Sequence, residues 1–159
     1  MPSPAQLKLI NELLNLAEVK VIDYQTQEKV GMIIKVQAKN QKAICPRCGQ
    51  KSEKLHQNHW YLVRDLPISN QPVYLRVNRR QFKCQECQKP FSDDLPFVGK
   101  RKSYTKRLAE QIIEQVLTSN INIRSVAEKN DLSEDIVERM IRDVRIERLE
   151  KETENPNKL

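Results

Sequence analysis

Two Cys-x-x-Cys pairs, Cys45/Cys48 and Cys84/Cys87, constrain this chain more than any other feature. They are its only cysteines, and 35 residues separate them. Two residues between cysteines let one tight turn aim both sulfurs at a single ion. In Cys45-Pro46-Arg47-Cys48-Gly49, Pro46 brings a fixed φ and Gly49 a permissive one. The second knuckle, Cys84-Gln85-Glu86-Cys87-Gln88, has no glycine. The opening Met1-Pro2-Ser3-Pro4 does not resemble a secretory leader, and in a reducing compartment disulfides rarely persist. Two such pairs then read as one tetrahedral four-cysteine zinc site. A disulfide pair and an exposed thioredoxin-like pair are the alternatives. His56 and His59 are read as surface or packing residues, because four thiolates already complete a zinc shell.

A metal staple suits the composition. Of 159 residues, 38% are hydrophobic and 5% aromatic, too few for one large core but enough for small modules. No apolar run reaches the roughly 18 residues of a membrane span. A helix is expected over residues 3 to 17, with Ser3 as N-cap and Pro4 in the first turn. Val19 and Val21, then Val30, Met32, Ile34 and Val36, alternate as a two-stranded element around a turn at 25–29. Between the knuckles, residues 60–63 and 73–77 are predicted strands around a turn at 67–72. Val73, Leu75 and Val77 face one way, and Tyr74, Arg76 and Asn78 the other.

Past Asp93 the period becomes helical. Leu108, Ala109, Ile112, Ile113, Val116 and Leu117 form one stripe, with Thr105 as expected N-cap. A short helix over 124–129, a turn at Asn130-Asp131 and a long helix capped by Ser133 and running to about Lys151 have helix-turn-helix arithmetic. Ala127 sits where two helices approach, Val137 ten positions later packs back, and Asp131 tolerates a left-handed φ. A plain helical hairpin is the bland alternative.

The fold class read from these signals is α+β, built of small modules. They are an N-terminal helix and β-hairpin over 1–42, a zinc ribbon over 43–100, a helical helix-turn-helix region over 101–152 and a frayed tail over 153–159.

The net charge is +7, which favours an anionic partner. Residues 45–100 hold ten basic and five acidic side chains, whereas 101–159 hold twelve of each, so the ribbon is the basic module. Arg76, Arg79, Arg80 and Lys83 cluster about one strand, and Arg101, Lys102, Lys106 and Arg107 about the ribbon–helix junction. Such clusters are natural phosphate contacts. On the long helix, Ser133, Arg139 and Arg142 are the candidate DNA readers. Glu134, Asp135 and Glu138 crowd the same turns, where they stabilise a helix N-terminus or pair with Arg139 and Arg142 at i, i+4. No residues qualify as catalytic. Asp65 reads as structural, pairing with Arg64 or capping a turn; Asp93 and Asp94 are adjacent; no glycine loop for phosphate exists.

The combination of Cys45-Pro46-Arg47-Cys48-Gly49, the His56 region, Arg64-Asp65-Leu66-Pro67, Arg80-Gln81-Phe82-Lys83-Cys84, Cys87, Phe91 and the Arg101–Arg107 run resembles the N-terminal part of ISL-type insertion-sequence transposases. The resemblance extends from about Leu13 to Arg148. It implies that Cys45, Cys48, Cys84 and Cys87 bind one structural Zn²⁺ and that ribbon and helix-turn-helix recognise terminal inverted repeats. In that family an RNase H-like domain with a metal-binding acidic triad follows, needing roughly another 150 residues, and nothing here matches the triad. The expectation is therefore a non-enzymatic DNA-binding protein: a truncated transposase, a short separate reading frame or a remnant. Its expected partner is DNA at element ends, in the cytoplasm at the nucleoid and away from membranes. The competing reading is an assembly module whose helix over 133–151 pairs with a second copy or a full-length transposase.

Overall fold

A computed structural model describes residues 1–99, 101–118 and 120–155. They form two compact units, Met1–Thr105 and a unit from Lys106 onward.

The first unit opens with α1 (Pro4–Leu14). Ser3 caps it through a reciprocal box with Gln6, the Ser3 Oγ accepting from the Gln6 N–H and the Gln6 Oε1 from the Ser3 N–H. The helix ends at Leu14, three residues before the expected end, and is capped by Asn15 in the left-handed region at φ 51°. Strands β1 (Val19–Gln27) and β2 (Gly31–Ala38) form the expected hairpin. Its turn falls at residues 28–30, so Val30 lies outside β2 and is exposed.

Short strands β3 (Ala43–Ile44) and β4 (Lys51–Ser52) flank the first knuckle, and β5 (Leu55–Gln57) follows. Then comes a long hairpin, β6 (Trp60–Ile68) and β7 (Gln71–Asn78). Its turn is Ser69-Asn70, with φ of 50° and 63°. Two positive φ values are what a two-residue hairpin loop needs to match strand twist. Pro67 is tolerated within β6 because β6 is an edge strand with a register shift between Asp65 and Ile68. Strands β8 (Gln81–Lys83) and β9 (Pro90–Ser92) flank the second knuckle.

The sheet order is β1-β2-β7-β6, with β2 and β7 parallel from Met32↔Val73 to Lys35↔Arg76. This corrects the expected division at residue 42. The β6–β7 hairpin does not stay in the ribbon; it completes a four-stranded sheet with the N-terminal hairpin. The reason is burial. Val73, Leu75 and Val77 need a partner surface, and Ile34, Val36, Val19, Val21 and Val63 supply it, with Ile10 and Leu14 of α1 above. Leu95, Phe97 and Val98 close the same core. Each fully buried aliphatic contributes about 1.5–3 kcal/mol, and two hairpins apart would leave both apolar faces wet. The ribbon keeps a separate small core of Ala43, Cys45, Phe82, Cys84 and Phe91.

Among the described residues the second unit has three helices: α2 (Lys106–Thr118), α3 (Ile123–Lys129) and α4 (Glu134–Glu154). Leu108, Ala109, Ile112 and Ile113 of α2 are buried, with Val126 and Ala127 of α3 and Val137 and Met140 of α4. Of the tail expected over 153–159, Thr153 and Glu154 are helical, and 156–159 lie outside the described residues.

Candidate metal centre and nucleic-acid surfaces

The two knuckles are built alike. In the first, the Cys45 N–H donates to the Gln50 carbonyl (2.9 Å); in the second, the Cys84 N–H donates to the Lys89 carbonyl (3.1 Å). The residue after the second cysteine is left-handed in both: Gly49 at φ 75° and Gln88 at φ 57°. The missing glycine therefore changes a residue, not the turn.

The four Sγ atoms lie within 4.8 Å of one another, and Cys48 and Cys84 approach to 3.5 Å. All four are free thiols, so the disulfide alternative does not hold. A tetrahedral shell with metal–sulfur bonds of ~2.3 Å has sulfur–sulfur edges of about 3.8 Å, which this cluster matches. Cys45 and Cys84 are buried, whereas Cys48 opens to solvent. The Cys48 backbone N–H stabilises the Cys45 thiolate and lowers its pKa to about 6. The Cys48 thiol, then burial, push Cys87 up to about 12. A divalent ion entering this cluster therefore displaces protons. His56 is exposed and His59 stacks on Tyr61 at 5.9 Å; neither joins the cluster.

Phe82 and Phe91 stack at 6.1 Å behind the cysteines. The Arg47 guanidinium donates to the Pro90 carbonyl (3.1 Å), tying one knuckle to the other. Buried Ser52 donates to the Lys83 carbonyl (2.6 Å). No sequence signal marked Ser52, because its partner is 31 residues away.

The basic cluster expected about one strand is divided. Arg76 lies exposed on β7 in the sheet, Arg79 follows that strand half-buried, and Lys83 is half-buried on β8. Arg80 is the correction. Its Nε and an NH2 nitrogen both donate to Asp93 Oδ2 (3.0 and 2.7 Å), the NH2 also reaches the Asn40 carbonyl (2.9 Å), and the guanidinium lies 4.9 Å over Phe82. A guanidinium so occupied holds the ribbon together. The junction cluster is also divided: Arg101 and Lys102 belong to the first unit, Lys106 and Arg107 to α2. Asp65 is structural as expected, and Thr105 is among its partners. It is fully buried and accepts from the Thr105 hydroxyl (2.7 Å), while Arg64 donates to the Tyr74 hydroxyl (3.0 Å).

In the second unit the Leu132 N–H donates to the Ala127 carbonyl (2.9 Å) across a turn whose left-handed residue is Asp131, at φ 53°. The Ser133 hydroxyl accepts from the Ile136 N–H (3.3 Å), so it serves as the α4 cap and is engaged by its own helix. Arg139 and Arg142 are exposed and, among the described residues, pair with neither Asp135 nor Glu138. Ile136, Ile141 and Val144 are half-buried, and Ile146 and Leu149 are exposed, so α4 continues past its packed part. No helix among the described residues is long and apolar enough to cross a membrane.

Residues 41–87 match the family model for the zinc-finger of transposases IS204/IS1001/IS1096/IS1165. Residues 94–145 match that for the helix-turn-helix domain of transposase family ISL3. The chain is 37% identical over 84 residues to a transposase for insertion sequence element IS1001 from Bordetella parapertussis; the match spans 53% of this chain and 20% of that protein. No solved structure matches.

Proposed function

With the zinc ribbon and the helix-turn-helix in sequence, the chain belongs to the ISL3 transposase family, and on that premise we propose that it is a zinc-dependent DNA-binding protein directed at the terminal inverted repeats of a mobile element. Cys45, Cys48, Cys84 and Cys87 hold one structural zinc, which closes the loop carrying the β6–β7 hairpin and supplies much of the ribbon's stability. Arg76, Arg79, Lys83, Arg101, Lys102, Lys106 and Arg107 face phosphates. Arg139 and Arg142 read base edges or phosphates from α4, with Glu134 placed to accept from a cytosine amino group. Arg80 and Ser133 leave the DNA-contacting set. None of the described residues is assigned a catalytic step. The place of action is the cytoplasm, at the nucleoid.

The observation that carries this reading is the state of Arg139 and Arg142. They are exposed and form no ion pair among the described residues, on a helix whose cap, turn and buried Val137 and Met140 hold it in helix-turn-helix geometry. An electrophoretic shift with terminal-repeat duplex, zinc present and salt titrated, tests it. Arg139→Ala and Arg142→Ala each weaken specific binding about five- to a hundredfold if they contact bases. Equal affinity for random duplex removes the specific target, and no binding at low salt removes the reading.

A second reading rests on Ile146 and Leu149, exposed beyond the packed part of α4. They fit pairing with another transposase chain. Light scattering at high concentration tests it: a strict monomer, or a dimer unmoved by Leu149→Glu, excludes α4 pairing.

A further inference from the structure

Among the described residues, the fully buried aliphatic side chains of the four-stranded sheet lie on one face. On the other, strand alternation places Lys20 on β1, Lys35 on β2, Tyr74 and Arg76 on β7, and Trp60, Leu62 and Arg64 on β6. Asp23, opposite Lys35, is the acid among them. Both rings carry a cation. The Lys35 Nζ lies 4.7 Å above Trp60, and the Arg64 guanidinium 5.0 Å above Tyr74. Lys20, Lys35 and Arg76 form no ion pair with a carboxylate among the described residues. An ordinary solvated sheet face mixes both charge signs; this one holds fixed cations interleaved with aromatic rings on a rigid backbone.

We propose that this open sheet face binds an unpaired DNA strand, with Lys20 and Lys35 at the phosphates and Trp60 and Leu62 against the bases. The cations call for a polyanion. The shape selects which form. Four strands at ~4.8 Å spacing span about 14 Å before side chains are added, wider than the ~12 Å major groove, so the face cannot enter a duplex to meet base edges. An unpaired strand brings base faces to the surface, where aromatic and apolar side chains stack on them. Trp60 is 39% exposed and Leu62 46%, enough to meet a base without rearranging the core beneath. This surface stands on the geometry of the first unit and goes beyond the duplex reading given for ribbon and helix-turn-helix.

Trp60 is the chain's single tryptophan, so its emission reports this face alone. The zinc-loaded full chain is titrated with a twelve-residue oligothymidylate and, separately, with a terminal-repeat duplex. Tryptophan emission and the anisotropy of a labelled strand are followed. The single strand quenches Trp60, with an affinity that falls as salt rises. Trp60→Leu and Lys35→Ala each weaken single-strand binding at least about fivefold and leave zinc content and duplex affinity unchanged. No quenching at low salt, equal quenching by the duplex, or single-strand affinity indifferent to both substitutions overturns the proposal. Loss of duplex binding with single-strand binding intact instead overturns the duplex reading and leaves this one standing.

Discussion

The Arg80 guanidinium meets the Asp93 carboxylate at 2.7 Å with both side chains nearly buried, at 12% and 13% exposure. The bond is reinforced in the backbone, where the Asp93 N–H donates to the Arg80 carbonyl (2.7 Å), so it fixes how β8 leaves the sheet and how the chain leaves β9. Removing one member leaves a desolvated charge behind. Arg80→Ala is expected to cost on the order of 2–3 kcal/mol, short of the full buried-pair value because some solvent reaches the pair. Thermal unfolding of the metallated protein checks it. Arg79→Ala, by contrast, weakens duplex binding with little loss of stability; the reverse ranking would return Arg80 to the DNA-contacting set.

Glycine positions divide in the same way. Gly31 has φ 112°, and an added Cβ would lie 2.3 Å from the Pro72 carbonyl oxygen, where β2 meets β7. Neither backbone can withdraw without breaking the parallel pairing. Gly31→Ala is therefore expected to destabilise by roughly 2–4 kcal/mol. Gly49 has a positive φ but open space around it, and Gln88 already fills the matching position of the other knuckle. Gly49→Asn should cost under about 1 kcal/mol and retain metal. Urea unfolding of the two variants, with zinc content measured alongside, decides it.

These two glycines mark what local reading of the chain can reach. The knuckles, the Ser133 cap, the left-handed turn at Asp131 and the alternation of Val73, Leu75 and Val77 are local codes spanning a few residues, and they are legible. The parallel pairing of β2 with β7 joins residues about 41 apart through generic apolar faces, and nothing in either segment names the other. Arg80 looked like a phosphate contact because charge clustering records composition and is blind to Asp93 folding back thirteen residues later. Gln88 shows the opposite failure: the second knuckle lacks a glycine, yet a longer residue takes a similar left-handed φ. The basic sheet face is not legible locally, because its cations come from four strands that only the pairing brings together.

Metal removal separates the two cores of the first unit. The cysteine cluster packs with Ala43, Phe82 and Phe91, whereas the sheet core contains none of these residues. Structural zinc contributes on the order of 10 kcal/mol to small modules at neutral pH, and that loss falls on the ribbon. Chelation should therefore abolish amide-exchange protection in β3, β4, β8 and β9 while β1, β2, β6 and β7 stay protected. Cys84→Ser, replacing a buried ligand, should reproduce this without chelator. Simultaneous loss of protection in the sheet would show that the metal also organises the hairpin.

The Asp65–Thr105 bond makes the last test. Both side chains are fully buried, 40 residues apart, and the adjacent backbone supports the contact: the Arg64 N–H donates to the Ser103 carbonyl (2.8 Å) and the Thr105 N–H to the Arg64 carbonyl (2.9 Å). The segment before α2 is thus stitched to the edge of β6. Thr105→Val preserves shape and deletes the donor, leaving the carboxylate short of a partner at a cost of about 1–3 kcal/mol. Thr105→Ser keeps the hydroxyl and should recover most of that. Asp65→Asn retains an acceptor, so it should cost less than Asp65→Ala. Because the two groups share this bond, Thr105→Val in an Asp65→Ala background should cost at least about 0.5 kcal/mol less than it does alone. Urea unfolding of the four members of that cycle measures the coupling, and strictly additive costs would show that the two residues stabilise the edge independently.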